Sequence, residues 1–205
     1  MFWSKILRFF SEDIAMDLGM ANTLLYTRDG GIIVNEPSVV AIDTRNNEVL
    51  AVGSEAKRAR GRTPKRIKTI RPMKSGVIAD FDTTSRMIVY FVNKAIGRSH
   101  LVKPSLVISV PTGITGVEKK AVIDAAATAG AGRVSLIEEP MAAAIGADLP
   151  VTEPVGTLIA DIGGGTSEVA VITMSAITVS QSIRIAGDAM NEILLRMLRD
   201  KYRLD

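Results

Sequence analysis

One short pattern occurs twice in this chain. Ile14-Ala15-Met16-Asp17-Leu18-Gly19 and Leu158-Ile159-Ala160-Asp161-Ile162-Gly163 both run apolar stretch, aspartate, apolar residue, glycine, with the two aspartates 144 positions apart. A second apolar run follows each copy, Thr23 to Thr27 and Glu168 to Thr173. Strand, tight turn, strand is the reading that suits both. A hairpin repeated at this distance implies two similar subdomains, each offering its turn to a shared cleft.

The residues of the turns say what such a cleft would hold. A glycine-bearing turn lets a ligand approach without a Cβ in the way. Its outward N–H groups form a nest for phosphate oxygens. Gly163, Gly164 and Gly165, followed by Thr166 and Ser167, fit that description. Each turn follows an aspartate at the end of a strand expected to be buried, where a carboxylate is costly unless paired or metal-bound. Asp17 and Asp161 facing phosphates across the cleft would hold Mg²⁺ through waters, because Mg²⁺ keeps much of its hydration. Glu138-Glu139-Pro140 opens a helix, with proline tolerated in the first turn. A glutamate there serves the helix dipole, or one of the two orients or deprotonates an attacking water. Cleaving a phosphoanhydride asks a protein mainly for positioning and charge neutralisation.

The remaining elements follow from periodicity and breakers. Short strands are expected at Ile32 to Val34, Val39 to Ile42 and Val49 to Val52, with Asp29-Gly30 as a hairpin signal. Met87, Ile88, Phe91, Val92, Ala95 and Ile96 repeat at helical spacing, capped by Asp82 or Thr83 and closed by Gly97. Leu106 to Val110 reads as a buried strand. Val117 to Ala129 reads as a helix, amphipathic through Val117, Ala121, Val122 and Ala125. Val134 to Ile137 is a further strand, and Pro150 to Pro154 a linker. Strands at Leu158 to Asp161, Glu168 to Thr173 and Ile177 to Ile183 come next. An amphipathic helix then carries Met190, Ile193, Leu194, Met197 and Leu198.

Charge and composition remove several classes. With no cysteine the chain has no disulfide framework or thiolate metal site, and with a single histidine, His100, a histidine metal site or a Ser-His-Asp triad is not expected. Nine basic residues between Lys57 and Lys74 are interrupted by no acidic one. Such a run is a solvated surface, or it meets an anionic membrane or acidic partner. No aromatic residue lies within it to stack on bases, so no specific nucleic-acid partner is expected. No apolar run approaches the roughly 18 residues of a membrane span. In the opening MFWSKILRFFSE, however, helical spacing puts Phe2, Trp3, Ile6, Leu7, Phe9 and Phe10 on one side and Lys5 and Arg8 on the other. That pattern suits a helix lying in a bilayer interface, or a terminal helix docked on its own domain.

The same residues carry a family resemblance. Asp17-Leu18-Gly19-Met20-Ala21-Asn22-Thr23 resembles the first phosphate motif of the actin, sugar-kinase and heat-shock-chaperone ATPases. Asp161 to Ala170 resembles their second phosphate motif, and Glu138 to Gly146 their connecting helix. Asn35 to Ala41, Gly61 to Pro64, Ile70 to Met73 and Gly76 to Phe81 narrow the resemblance to the MreB family, over nearly the whole chain. It implies an α/β, actin-like ATPase fold of RNase H-like subdomains, mixed sheets flanked by helices. The expected layout is a membrane-binding helix at 1–12 and a first domain at 13–149 with a small basic subdomain inserted at about 33–74. Residues 150–205 begin a second domain left incomplete. The cofactors implied are ATP and Mg²⁺, with slow hydrolysis tied to polymerisation.

By that resemblance Gly19, Met20, Ala21, Asn22, Gly163, Gly164, Gly165 and Thr166 hold phosphates. Asp17 and Asp161 serve the metal through water, and Glu139 and Thr166 place the hydrolytic water. The partners implied are further copies in an antiparallel double filament, the inner face of the cytoplasmic membrane, and wall-synthesis membrane proteins. Leu101-Val102 falls near the family's membrane-inserting loop, or is an ordinary apolar loop. Three departures bear on this. Met20 replaces a small hydroxyl residue and is expected to crowd the turn. Ala186-Gly187-Asp188 stands for Gly-Gly-Asp. The family's later adenosine-binding segment has no counterpart, as in a fragment or a truncated product. A scaffold without turnover is one alternative. A sugar-kinase-like phosphotransferase is another, for which no catalytic aspartate stands outside the two turns.

Overall fold

The structure, a computed structural model, describes residues 13–59, 64–74, 76–96 and 103–204. The expected helix at 1–12, with Phe2, Trp3, Ile6, Leu7, Phe9 and Phe10, lies outside them, as do Gly97, His100, Leu101 and Val102. The chain divides into two compact units, residues 1–110 with 114–137, and residues 111–113 with 138–205.

The first unit is built on a mixed sheet of β1 (Asp13–Leu18), β2 (Asn22–Thr27), β3 (Gly31–Pro37), β9 (Ser105–Val110) and β10 (Arg133–Glu138), in the order β10-β9-β1-β2-β3. β1 runs parallel to β9 and antiparallel to β2. Alternation decides which side of β1 is covered: Ile14, Met16 and Leu18 are buried, while Asp13, Ala15 and Asp17 are exposed. β9 alternates likewise and is not the fully buried strand its apolar run suggests. Leu106, Ile108 and Val110 are buried, but Val107 faces out.

Two helices complete this core. α2 (Phe81–Ile96) buries Met87, Ile88, Phe91 and Val92. Truncating a fully enclosed phenylalanine such as Phe91 to alanine costs about 3–5 kcal/mol. The cap of α2 is Asp80, not Asp82 or Thr83. Its carboxylate accepts from the Thr83 N–H at 3.0 Å and the Thr83 hydroxyl at 2.8 Å. α3 (Gly116–Thr128) opens on a capping box between Thr115 and Glu118. Its buried stripe is Val122, Ala125 and Ala126. Val117, expected on that stripe, is 82% exposed, because it sits in the first turn before the helix meets the core.

The basic stretch is more structured than its breakers suggest. β6 (Ile67–Ile70) joins β4 (Val40–Asp43) and β5 (Glu48–Val52) in a three-stranded sheet, in the order β5-β4-β6, and α1 (Ser54–Ala59) packs against it. β7 (Met73–Lys74) and β8 (Val77–Ile78) form a small ribbon. Glu36 of β3 fastens this region to α2. Its carboxylate accepts from the Ser54 N–H at 2.8 Å and pairs with the Lys94 ammonium. Burial pushes that carboxyl upward, but the Lys94 and Ser54 hydrogen bonds outweigh it, and its pKa lies below the ordinary value. Gly53 (φ +68°) approaches so closely that a Cβ would meet the Glu36 carboxylate at 1.9 Å. Only glycine fits there.

The second unit holds an antiparallel sheet of β11 (Thr157–Ile162), β12 (Ser167–Thr173) and β13 (Ala176–Ile183). α4 (Glu139–Gly146) packs on β11 and β12. The expected linker is a turn fastened to the β12–β13 connection, with the Met174 N–H donating to the Glu153 carbonyl and the Ser175 N–H to that of Val151. The sheet side bearing Leu158 (66% exposed), Ile162 and Val179 is open. α5 (Gly187–Tyr202) buries none of its apolar residues, and Ile193 is 64% exposed.

Candidate functional site

Both repeated patterns fold as hairpins, and in the same register. In the first, Asp17 pairs with Leu24 and Leu18 with Thr23. In the second, Asp161 pairs with Glu168 and Ile162 with Ser167. The turns are therefore residues 19–22 and 163–166, at matching places in the two copies.

The carbonyls of each turn are tied back. The Ser38 hydroxyl donates to the Gly19 carbonyl at 2.5 Å and the Ser38 N–H to the Ala21 carbonyl at 3.1 Å. In the second turn the N–H groups opening α5 do this work. Gly187 donates to the Gly163 carbonyl at 3.1 Å and Asp188 to the Gly164 carbonyl at 2.8 Å. This also satisfies amides that a helix start otherwise leaves without partners. Among the described residues, the N–H groups of Gly164, Gly165 and Thr166 donate to no protein acceptor, nor do those of Met20 and Ala21. Backbone amides without acceptors, on a turn held from behind, are the arrangement that receives an anion.

The glycines are needed for closeness. A Cβ on Gly19 would stand 2.6 Å from the Asn22 carbonyl oxygen, and one on Gly187 would stand 3.2 Å from that of Gly163. A Cβ on Gly163 would meet the Thr166 carbonyl at 3.4 Å, an ordinary contact. Met20 does not crowd its turn as expected. Its side chain is partly buried against the core of the first unit, and its sulfur accepts the Gly76 N–H at 2.9 Å.

The carboxylates are less enclosed than the sequence implies. Asp17 lies on the uncovered side of β1, where its Oδ1 accepts the Ser109 hydroxyl at 3.0 Å. Asp161 is half-buried. A strand covered on one face only leaves alternate positions open, so neither aspartate is a desolvated charge. Thr166 is buried, yet its hydroxyl makes no hydrogen bond among the described residues. Glu139 is the first residue of α4, the helix packed on the strands flanking the second turn. Glu138 is the N-cap and makes no side-chain capping bond. Among the described residues no three metal-ligating side chains converge.

Several supporting residues escaped the sequence reading. Nothing in the spacing of Ser38 marks it as the brace of a turn closed nineteen positions earlier. Ser109 reads as an ordinary strand position, and Gly187 only as the middle of Ala186-Gly187-Asp188, a stretch whose first residue departs from the family pattern.

A mixed sheet in this order, with a matching hairpin in each unit, defines the actin-like fold. Crystal structures of MreB5 of Spiroplasma citri, bound to ADP and to AMPPNP, superpose with TM-scores of 0.86 and 0.85 at 32% and 33% identity. The first covers 95% of this chain and 58% of that one. The MamK double helical filament shares the fold, with a TM-score of 0.77 at 20% identity.

The chain belongs to the MreB/Mbl protein family, whose pattern matches residues 11–205. It is 48% identical over 195 residues to the cell shape-determining protein Mbl of Bacillus subtilis (strain 168), covering 95% of this chain. It is 49% identical over 198 residues to the cell shape-determining protein MreB of Escherichia coli (strain K12), covering 94% of this chain. The match spans 59% and 57% of those two relatives' lengths.

Proposed function

We propose that this chain binds ATP with Mg²⁺ through its two turns, as the nucleotide-binding part of an actin-like, filament-forming, cell shape-determining protein. The observation that carries this is the pair of same-register turns, each with two carbonyls held, in which the N–H groups of Met20, Ala21, Gly164, Gly165 and Thr166 donate to no protein acceptor among the described residues. Phosphate oxygens are the natural acceptors for such amides. On this reading Gly19, Met20, Ala21 and Asn22 in the first turn, and Gly163, Gly164, Gly165 and Thr166 in the second, hold phosphates. The inward Met20 side chain takes nothing from this, since the turn offers backbone.

Asp17 and Asp161 are the carboxylates that would hold Mg²⁺ through its waters. The ion supplies neutralisation of charge on the phosphate oxygens. Glu139 and Thr166 orient the water that attacks the terminal phosphate, Thr166 with a hydroxyl that has no other partner among the described residues. ADP and AMPPNP in the Spiroplasma citri MreB5 structures support the choice of nucleotide.

Self-assembly into an antiparallel double filament, location on the inner face of the cytoplasmic membrane through residues 1–12 and Leu101-Val102, and contact with wall-synthesis membrane proteins belong to the same proposal. Calorimetric titration tests its centre. Wild type binds ATP more tightly with Mg²⁺ than without, and Asp161→Asn lowers the Mg-ATP affinity by about tenfold or more. Affinity indifferent both to Mg²⁺ and to that substitution sinks the reading. Pelleting with anionic vesicles tests the membrane part, and equal pelleting with and without residues 1–11 discards it.

A further inference from the structure

Met20 lies in the first turn, and its sulfur accepts the Gly76 N–H at 2.9 Å. Gly76 is buried, and among the described residues its N–H has no other protein acceptor. A buried amide left without an acceptor is costly. The thioether therefore closes a hydrogen bond that the fold needs. Gly76 lies between β7 and β8, and that ribbon is rooted. Met73 is buried in the core of the first unit and Ile78 packs against it. The N–H groups of Ala79 and Asp80 both donate to the Pro72 carbonyl, at 2.9 and 3.2 Å.

Within the first unit the turn thus has two anchors. Ser38 holds the Gly19 and Ala21 carbonyls, and the rooted ribbon holds the Met20 side chain. The Met20 N–H is one of the turn amides that donate to no protein acceptor among the described residues. It shares a Cα with the side chain that is held, so what happens at the sulfur bears on where that N–H stands.

The sulfur is also the reactive atom. The chain has no cysteine, which leaves methionine sulfur as the group most open to a peroxide. Met20 is partly exposed, whereas Met16, Met73 and Met87 are buried. In the reaction one oxygen of hydrogen peroxide bonds to sulfur, the O–O bond breaks, and the other oxygen leaves as water. Sulfur is oxidised by two electrons and the peroxide is reduced by two. A sulfur and a nitrogen 2.9 Å apart leave no room for an oxygen between them. The sulfoxide either pushes Gly76 away from the turn or takes the side chain, now polar, off the core against which it packs.

We propose that Met20 is an oxidation site that makes a redox-sensitive clasp on the first phosphate turn. Hydrogen peroxide converts it to the sulfoxide, the turn parts from the ribbon, and phosphate is held less firmly. The inference rests on the nucleotide reading above and adds a regulation to it.

The test uses the full chain and the Met20→Leu variant, each before and after hydrogen peroxide. AMPPNP is the probe, and mass spectrometry reads which methionines have gained an oxygen. Leucine keeps the apolar volume and offers nothing to oxidise, and the variant's own untreated affinity is its reference. Treated wild type is expected to lose about tenfold in AMPPNP affinity through the loosened anchor. It regains that affinity with a methionine sulfoxide reductase and dithiothreitol, the oxygen leaving as water while two thiols join as a disulfide. Treated Met20→Leu is expected to keep its own affinity although the exposed Met174, Met190 and Met197 of the second unit are oxidised. Hydrogen exchange at the Gly76 amide, measured without nucleotide, is expected to quicken in treated wild type. The clasp is overturned if Met20 stays unoxidised while Met174 gains an oxygen, if affinity holds with Met20 oxidised, or if Met20→Leu loses as much on treatment. Should Met20→Leu fail to fold, exchange at Gly76 in wild type decides, and unchanged exchange overturns the clasp. If untreated wild type binds no AMPPNP, it is the nucleotide reading that fails, and exchange at Gly76 still judges the clasp.

Discussion

The two turns share a register but not a brace. The first is closed by a side chain, Ser38, whose hydroxyl and N–H reach the Gly19 and Ala21 carbonyls from just after β3, the strand paired with β2. The second is closed by backbone alone, the first amides of α5. The phosphate-facing geometry is thus repeated, while the support is improvised locally in each unit. The first brace is part of a closed core. The second hangs on a helix whose apolar residues are all at the surface.

Glycine substitution is the hardest blow to this pairing. Gly19→Ala puts a Cβ 2.6 Å from the Asn22 carbonyl oxygen, so backbone must shift, whereas Gly163→Ala meets the equivalent oxygen of Thr166 at 3.4 Å. The first is expected to cost about 2–3 kcal/mol of unfolding free energy and the second less than about 1 kcal/mol. Urea unfolding of both variants checks this. Equal costs would show that the turns are interchangeable and that the braces do not matter.

The next effect bears on the braces themselves. Ser38→Ala leaves the Gly19 carbonyl and the buried Thr23 hydroxyl, 2.9 Å from the Ser38 oxygen, without that partner. A cost of about 1–3 kcal/mol follows from stranding buried polar groups. Gly187→Ala leaves its N–H in place and asks the Gly163 carbonyl, 3.2 Å from the new Cβ, to give by a few tenths of an ångström. Its cost is about 1 kcal/mol or less. Reversal of that order would mean the second turn is the more rigidly held.

The same contrast explains what was legible in the sequence. The strand-Asp-apolar-Gly pattern is local, so both hairpins could be read from residues 14–27 and 158–173. The braces are not local. Ser38 and Gly187 act on residues many positions away, and serine or glycine in a loop has no periodicity to betray such a contact. Burial misled in a related way. A run such as Leu106 to Val110 shows apolarity but not which face of its sheet is covered, so Val107 and Asp17 were expected inside and lie outside. Val117 and the apolar residues of α5 fit a helical stripe, yet periodicity says only that a stripe exists, not that anything lies over it. The cap at Asp80 was a matter of two residues, the usual uncertainty of helix ends.

The smallest effect separates the braces by acidity. Glu36 precedes Ser38 on the same stretch of chain, pairs with Thr23 in the ladder, and is anchored by Lys94 and the Ser54 N–H. Its carboxyl titrates below the ordinary value, so the stabilisation it gives is complete above the ordinary carboxylate range. As pH falls through the lowered value the carboxyl takes a proton, the ion pair with Lys94 goes, and the strand leading to Ser38 loosens. The second turn is held by backbone amides that do not titrate. Acid should therefore open the first turn before the second. The measurement is hydrogen exchange at Met20 and Ala21 against Gly164 and Gly165, each corrected for its intrinsic rate, from neutral pH down to about 3. Glu36→Gln should bring the first turn to its loosened state already at neutral pH and flatten its acid dependence. If the two turns loosen together in wild type, or if Glu36→Gln leaves the acid dependence of the first turn intact, the brace at Ser38 does not depend on Glu36, and the difference between the turns is steric alone.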